Sequence, residues 1–297
     1  MYPTDQIRTA QHNRLMAELK SLFVIGEVNS NLKKLLLDRL HLLGRRLLRH
    51  AIVNEIPEST ANYFSTAKIV IYTCIFGTVD EIHEPIFVPD NCDFYIVTDQ
   101  DLPTASSWIK KKVDFSVFPG AVDPVTKNRF VKMHPHLIFP EYDYSIYLDG
   151  TIQARTDLTE WIQEMPVVGL KMFNHPVRHC TYTEIEACIK AGKGSKSDLL
   201  RYAAFLRSQG MPENYGLVEG GVIVRQSHNP VCVSLMTQWW QEFLQQSRRD
   251  QISLPYILWK NQIQVEQIAK LGHNLRLHPA IRKYSHRPHY ARSLRKA

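Results

Sequence analysis

Cysteine is scarce in this chain: five among 297 residues, Cys74, Cys92, Cys180, Cys188 and Cys232. The number is odd and no CxxC pair occurs, which argues against a disulfide framework or a structural zinc site and fits a reducing cytosol. No stretch reaches the roughly 18 uninterrupted apolar residues of a membrane span. The opening MYPTDQIRTAQHNRLMAELK holds no apolar signal core. The expectation is a soluble, cytoplasmic protein, at most peripherally attached to a membrane. Internal repeats and low-complexity linkers are also missing. Acidic residues are in the minority, 29 Asp and Glu against 36 Lys and Arg, for a net charge of +7. Such an excess favours anionic partners: nucleotides, phosphates, nucleic acid or an acidic membrane. No RNP-like, helix-turn-helix or zinc-finger pattern accompanies it, and the basic residues gather at the chain ends, so nucleic acid is not the expected partner. With 44% hydrophobic residues the chain can fill a core.

Residues 1–62 read as a helical N-terminal segment. In NLKKLLLDRLHLLGRRLLRH, Leu32, Leu36, Leu40, Leu43 and Leu47 fall on one face, with Lys33, Lys34, Arg39, Arg45, Arg46 and Arg49 elsewhere. Such a helix packs its leucines on the protein's own core, lies on an anionic membrane or binds a partner helix. IPEST, from Ile56, ends the pattern. From Lys68 the texture changes to alternating strands and helices. KIVIYTCIF and DFYIVTD read as buried strands, SWIKKKVDF as a more exposed one, and SIYLDG, PVVGLKMF, GVIVRQ and the late NLRLHP as further strands. TKNRFVKMHPHLIF has helical spacing broken by Pro135, and PVCVSLMTQWWQEFLQQSRR is the clearest helix. This order predicts an α/β domain over 66–281, with a mostly parallel sheet and helices on both faces. A basic tail, 282–297, is predicted to follow without fixed structure.

In open α/β sheets ligands bind beyond the carboxyl ends of the strands. Polar residues collect there: Thr73 to Thr78 in TCIFGT, Asp99 in TDQD, Asp149 and Gly150 in LDGT, and His278 in LRLHP. Asp149 is either a turn residue or the acid that faces a metal-bound diphosphate.

RFVKMHPHLIFPEYDYSIYLDGTI resembles the segment that leads into the DxD motif of nucleotide-sugar glycosyltransferases with the GT-A fold. More narrowly, YTCIFG, YIVTD, NHPVRHCTYTEIEACI, GLVEGGVIVR and RRDQISLPYILWK, in this order with SIYLDG, resemble a glycosyltransferase-like domain family. That family is shared by bacterial proteins and plant hexosyltransferase-like proteins linked to mucilage. The resemblance runs from about Lys68 to His278 and includes distant similarity to glycogenin-type transferases. It implies a GT-A-like fold and transfer of a hexose from a nucleotide sugar, a UDP-sugar, to a glycan, surface-polysaccharide or lipid-linked acceptor. The basic N-terminal helix would hold the protein near the inner face of the membrane.

The resemblance also implies site roles. Asp149 matches the first acid of the DxD motif, whereas Thr151 replaces the second, which puts the dependence on Mn²⁺ or Mg²⁺ in question. His278 stands where glycogenin-type enzymes place a late metal-binding histidine; the alternative is a surface histidine. Thr73, Phe76, Gly77 and Asp99 would meet the base and ribose. Arg129 and Lys132, three apart and so on one helix face, would stabilise the diphosphate, with the solvated basic patch as the alternative. Arg178 would contact an anionic group of donor or acceptor; a zinc reading of the surrounding His and Cys residues lacks finger spacing. Asp250 and Gln251 match an element close to the anomeric carbon. Asp250 or Glu219 would deprotonate the acceptor, unless Asp250 merely caps a helix. Trp239 and Trp240 read as core. The competing function is a binding module that keeps the nucleotide-sugar or glycan and has lost turnover.

Overall fold

The computed structural model describes residues 67–77, 80–246 and 248–286. The predicted N-terminal helix and residues 287–297 of the predicted tail lie outside them. Among the described residues no helix is long and apolar enough to cross a membrane.

A six-stranded sheet runs in the order β3-β2-β1-β4-β7-β6. Its members are β1 (Ile69–Ile75), β2 (Cys92–Thr98), β3 (Ile109–Lys110), β4 (Tyr144–Leu148), β6 (Leu170–Asn174) and β7 (Val218–Gln226). β1, β2, β3 and β4 pair in parallel, while β7 runs antiparallel to both β4 and β6. Five strands therefore point one way, as expected for this α/β class. All seven residues of β1 are buried. Val70, Tyr72 and Cys74 enter one apolar cluster and Ile69, Ile71 and Ile75 the other. A strand covered on both faces carries a continuous apolar run, which is why KIVIYTCIF was readable.

The first face is covered by helices α1 (Pro124–Met133), α2 (Pro135–Ile138), α3 (Thr181–Lys190), α4 (Lys196–Ser208), α5 (Pro230–Gln245), α6 (Asp250–Lys260) and α7 (Val265–Ile268). Trp239 and Trp240 are core, buried in this layer. The other face differs from expectation: among the described residues it is closed by two 3-10 turns, Thr159–Ile162 and Leu275–Leu277, and by a ribbon of β5 (Ile152–Ala154) with β8 (Ile281–Lys283). NLRLHP is thus a turn and not a strand, because the Asn274 side chain accepts from Arg276 N at 3.0 Å and closes the chain locally. The ribbon also crosses the boundary drawn after residue 281. Arg282 and Lys283 belong to β8, and Tyr284 N donates to Thr151 O at 2.7 Å.

Two details shape the sheet edge. Asp123 caps α1 in a reciprocal box with Thr126, Pro124 occupies the first turn, and Pro135 stops the helix after Met133. Between β6 and β7 the register breaks: Met172 pairs with Ile223, but Phe173 pairs with Glu219. This bulge frees Gly220 and Gly221 from β6 and leaves them beside the end of β4.

Candidate active site

Asp149 follows the last residue of β4, on the edge where β1 and β2 also end. Its backbone N–H donates to Gly221 O at 2.8 Å, so the β7 bulge fixes the turn. Gly150 is required there by space: a Cβ would lie 2.8 Å from Cγ1 of Ile75 and 3.4 Å from Oδ2 of Asp80. The Asp149 side chain is half-buried, and the Tyr147 hydroxyl donates to its Oδ1 at 3.2 Å. Thr151, two residues on, is buried, and its hydroxyl has no hydrogen-bond partner among the described residues.

The proposed base-binding end is built differently from expectation. Asp99 is exposed, yet both its carboxylate oxygens accept from Gly77 N, at 2.8 and 3.0 Å. Gly77 adopts φ +68°, a left-handed turn that favours glycine, with open space where a Cβ would stand. Phe76 meets the edge of Phe115 at 5.6 Å between ring centres. Thr73 is buried within β1, its hydroxyl without a partner among the described residues.

The α1 cations are paired. Lys132, almost fully buried, bonds to Asp250 Oδ2, and Arg129 Nε lies 3.1 Å from the same oxygen. Burial alone would raise the Asp250 carboxyl, but the charges of Arg129 and Lys132 outweigh it and hold it well below the usual carboxylate range. Burial works against the Arg129 charge too, and the combined attraction of Asp250, Tyr147, Asp149 and Cys74 more than offsets it. For Lys132 burial dominates and pulls the ammonium down. A Cβ on Gly220 would come within 2.9 Å of Lys132 Nζ, which brings the bulge and the ion pair into one packed unit. Asp250 does not cap α6; it is the first helical residue, after Arg249. Gln251 ties that helix end to β7, donating to Val218 O, with its Oε1 3.5 Å from Gly220 N.

Glu219 faces the same edge. Its Oε1 pairs with Lys283 Nζ at 3.2 Å and lies 3.9 Å from Arg276, while its buried Oε2 has no partner among the described residues. Arg178 does not stand free: its Nε bonds to Glu184, which also lies 3.7 Å from His175. His278 is placed between Trp161 and Phe173, with ring centres at 5.3 and 5.5 Å, and burial lowers its pKa. No contact among the described residues brings it to Asp149. The histidine at this turn is His286, bonded to Asp80 at 2.7 Å. That bond, helped by the charges of Asp80 and Asp149, raises its pKa. Asp80, Lys283 and His286 escaped the sequence reading. The two basic residues lay in the predicted tail, and Asp80 sits outside any strand end.

Among the described residues no three His, Cys, Asp or Glu side chains converge to hold a metal ion. No ion pair reaches Asp149 there. Magnesium commonly takes one or two protein carboxylates and completes its shell with phosphate oxygens and water. Asp149 therefore fits a cation that the ligand helps to hold, and the described protein groups alone do not form a complete cation site.

A search of curated proteins finds no match. Among solved structures, this chain is similar to apo WbbM, a bifunctional glycosyltransferase, at 11% identity and a TM-score of 0.44, over 66% of this chain and 38% of that one. It is also similar to the galactosyltransferase LgtC in complex with donor and acceptor sugar analogues (13% identity, TM-score 0.38, 64% of this chain and 70% of that one). Mouse xyloside xylosyltransferase 1 in its apo form gives 13% identity and a TM-score of 0.38, over 70% of this chain and 85% of that one. The sequence of residues 49–286, which includes every strand and helix above, matches a domain described as TOD1/MUCI70, glycosyltransferase-like domain, and the chain belongs to that family.

Proposed function

We propose that the protein transfers a hexose from a nucleotide sugar, a UDP-hexose, to a glycan acceptor of a surface polysaccharide. The observation that carries this reading is Asp149, an acid without an ion pair among the described residues, at the end of the central parallel strand. In a chain of this family it is the group best placed to meet the diphosphate. A divalent cation, Mn²⁺ or Mg²⁺, held by Asp149 would supply positive charge to the departing diphosphate. Arg129, whose side chain is partly exposed beside Asp250, adds to that field. Glu219 takes the acceptor proton. The support for this choice over Asp250 is that Asp250 is locked between two cations and is too weak a base, whereas Glu219 keeps one carboxylate oxygen without a partner among the described residues. The +7 charge supports work at an anionic membrane surface on the cytoplasmic side. Failure to sediment with anionic vesicles at low salt would remove that part.

The test is UDP release over a panel of donors, with and without Mn²⁺. Wild type is expected to turn over at least one donor, and Asp149→Ala to fall about 100-fold or more, with unchanged circular dichroism. A binding module is the second reading, favoured by Thr151 in the place of an acid. UDP binding by wild type with no release from any donor would select it and sink the transferase.

A further inference from the structure

Tyr147 is fully buried in β4. Its hydroxyl donates to Asp149 Oδ1 at 3.2 Å. Cys74 Sγ, from the neighbouring strand, lies 4.0 Å from the same hydroxyl. The ring has a second contact. Lys132 Nζ stands 5.4 Å from its centre and 5.7 Å from that of Trp239, on its way to Asp250. Tyr147 thus stands between two carboxylates. On its ring side, Asp250 takes both cations of α1. On its hydroxyl side, Asp149 receives a neutral donor and no ion pair among the described residues. A buried hydroxyl fixes a carboxylate without neutralising it, whereas an ammonium would consume the charge a ligand needs.

We propose that Tyr147 is a positioning residue: its hydroxyl holds Asp149 Oδ1, turns the second oxygen toward the donor diphosphate and its cation, and preserves the charge for them. The inference rests on the donor-site reading of Asp149. Phe76, Gly77 and the base end play no part in it.

The experiment is calorimetric titration of UDP, with Mn²⁺ present, into four proteins: wild type, Tyr147→Phe, Asp149→Ala and the double variant. The phenyl ring keeps its packing, so only the hydroxyl is removed. Tyr147→Phe is expected to weaken UDP binding about tenfold, the scale of one hydrogen bond to a charged group. In the Asp149→Ala background the same change is expected to do nothing further, since the partner is gone. Tyr72→Phe is the reference: its hydroxyl is equally buried but donates to Lys132 O at 3.1 Å, and UDP affinity should hold. Wild-type affinity in Tyr147→Phe, beside lost affinity in Asp149→Ala, would overturn the inference and leave the donor site standing. An equal loss in both backgrounds would also overturn it, by revealing a purely structural effect. Wild-type affinity in Asp149→Ala would remove the donor-site reading itself.

Discussion

Lys132 and Asp250 form a buried ion pair across 118 residues of chain, joining the last turn of α1 to the first residue of α6. The two were expected in separate catalytic roles, one on the diphosphate and one on the acceptor. Together they form a strut, reinforced from behind by Arg225. That arginine is 1% exposed, and its Nη2 donates to Lys132 O at 2.7 Å. A guanidinium at the carbonyl end of α1 also complements the helix dipole.

Removing one partner of such a pair strands a buried charge. Asp250→Ala is therefore expected to destabilise the fold by about 3–5 kcal/mol, read by urea denaturation. The pH dependence has a definite sign. The folded carboxyl lies below its unfolded value of about 3.9, so its contribution is complete above that value and is lost as pH falls below it. Wild-type stability should decline below about pH 4, and less steeply in Asp250→Ala. A variant as stable as wild type at neutral pH would show that the pair is dispensable.

Thr151 occupies the position where a second acid was expected. Its hydroxyl is buried and unpartnered, and its carbonyl accepts from Tyr284. An acid here would bury an uncompensated carboxylate. Thr151→Asp is expected to cost on the order of 2–5 kcal/mol rather than to build a cation site. Thr151→Val should be close to neutral, within about 1 kcal/mol, because the hydroxyl makes no bond to lose. Thermal denaturation of both variants decides it, and a stable Thr151→Asp protein with tighter Mn²⁺ binding would refute the packing argument.

The sheet was legible because β1, β4 and β7 are almost wholly buried and carry apolar stretches, IVIY in β1, IYL in β4 and VIV in β7. Asp149 was legible for the same reason, since the end of SIYL marks the edge of the core. What local pattern does not record is pairing through space. Nothing near Lys132 announces Asp250, and nothing near Asp80 announces His286, 206 residues away. SWIKKKVDF was overread: only Ile109–Lys110 pair, and the lysines leave the sheet at an exposed edge, which protects it from further pairing. β8 was missed because three residues inside a basic stretch have no period to read.

Gly220 tests whether the bulge and the strut act as one unit. An added methyl would stand 2.9 Å from Lys132 Nζ and 3.9 Å from Asp250 Oδ2. A free lysine would swing aside, but this one is held by Asp250 and two aromatic rings. Gly220→Ala is expected to lose about 1–3 kcal/mol and to lower UDP release with it. Gly210→Ala makes the comparison, since at that position there is open space and only the cost of φ +79°. Equal UDP release by Gly220→Ala and wild type would separate the bulge from catalysis.

His286 gives the opposite pH sign to Asp250. Its bond to Asp80 raises the folded pKa above the unfolded value of about 6.5. The stability it adds is complete below the unfolded value and is lost as pH rises through the folded one. Docking of residues 284–286 on the Asp149 turn should accordingly loosen as pH rises through that folded value. Two other contacts in that segment, Tyr284 stacked on His83 at 3.9 Å and Tyr284 N on Thr151 O, do not depend on that proton. Asp80→Asn keeps the shape and removes the charge, and in it the His286 resonance should titrate closer to its ordinary value in a proton NMR experiment. The same pKa in wild type and Asp80→Asn would mean that Asp80 does not hold the imidazolium, and the alkaline loosening would lose its cause.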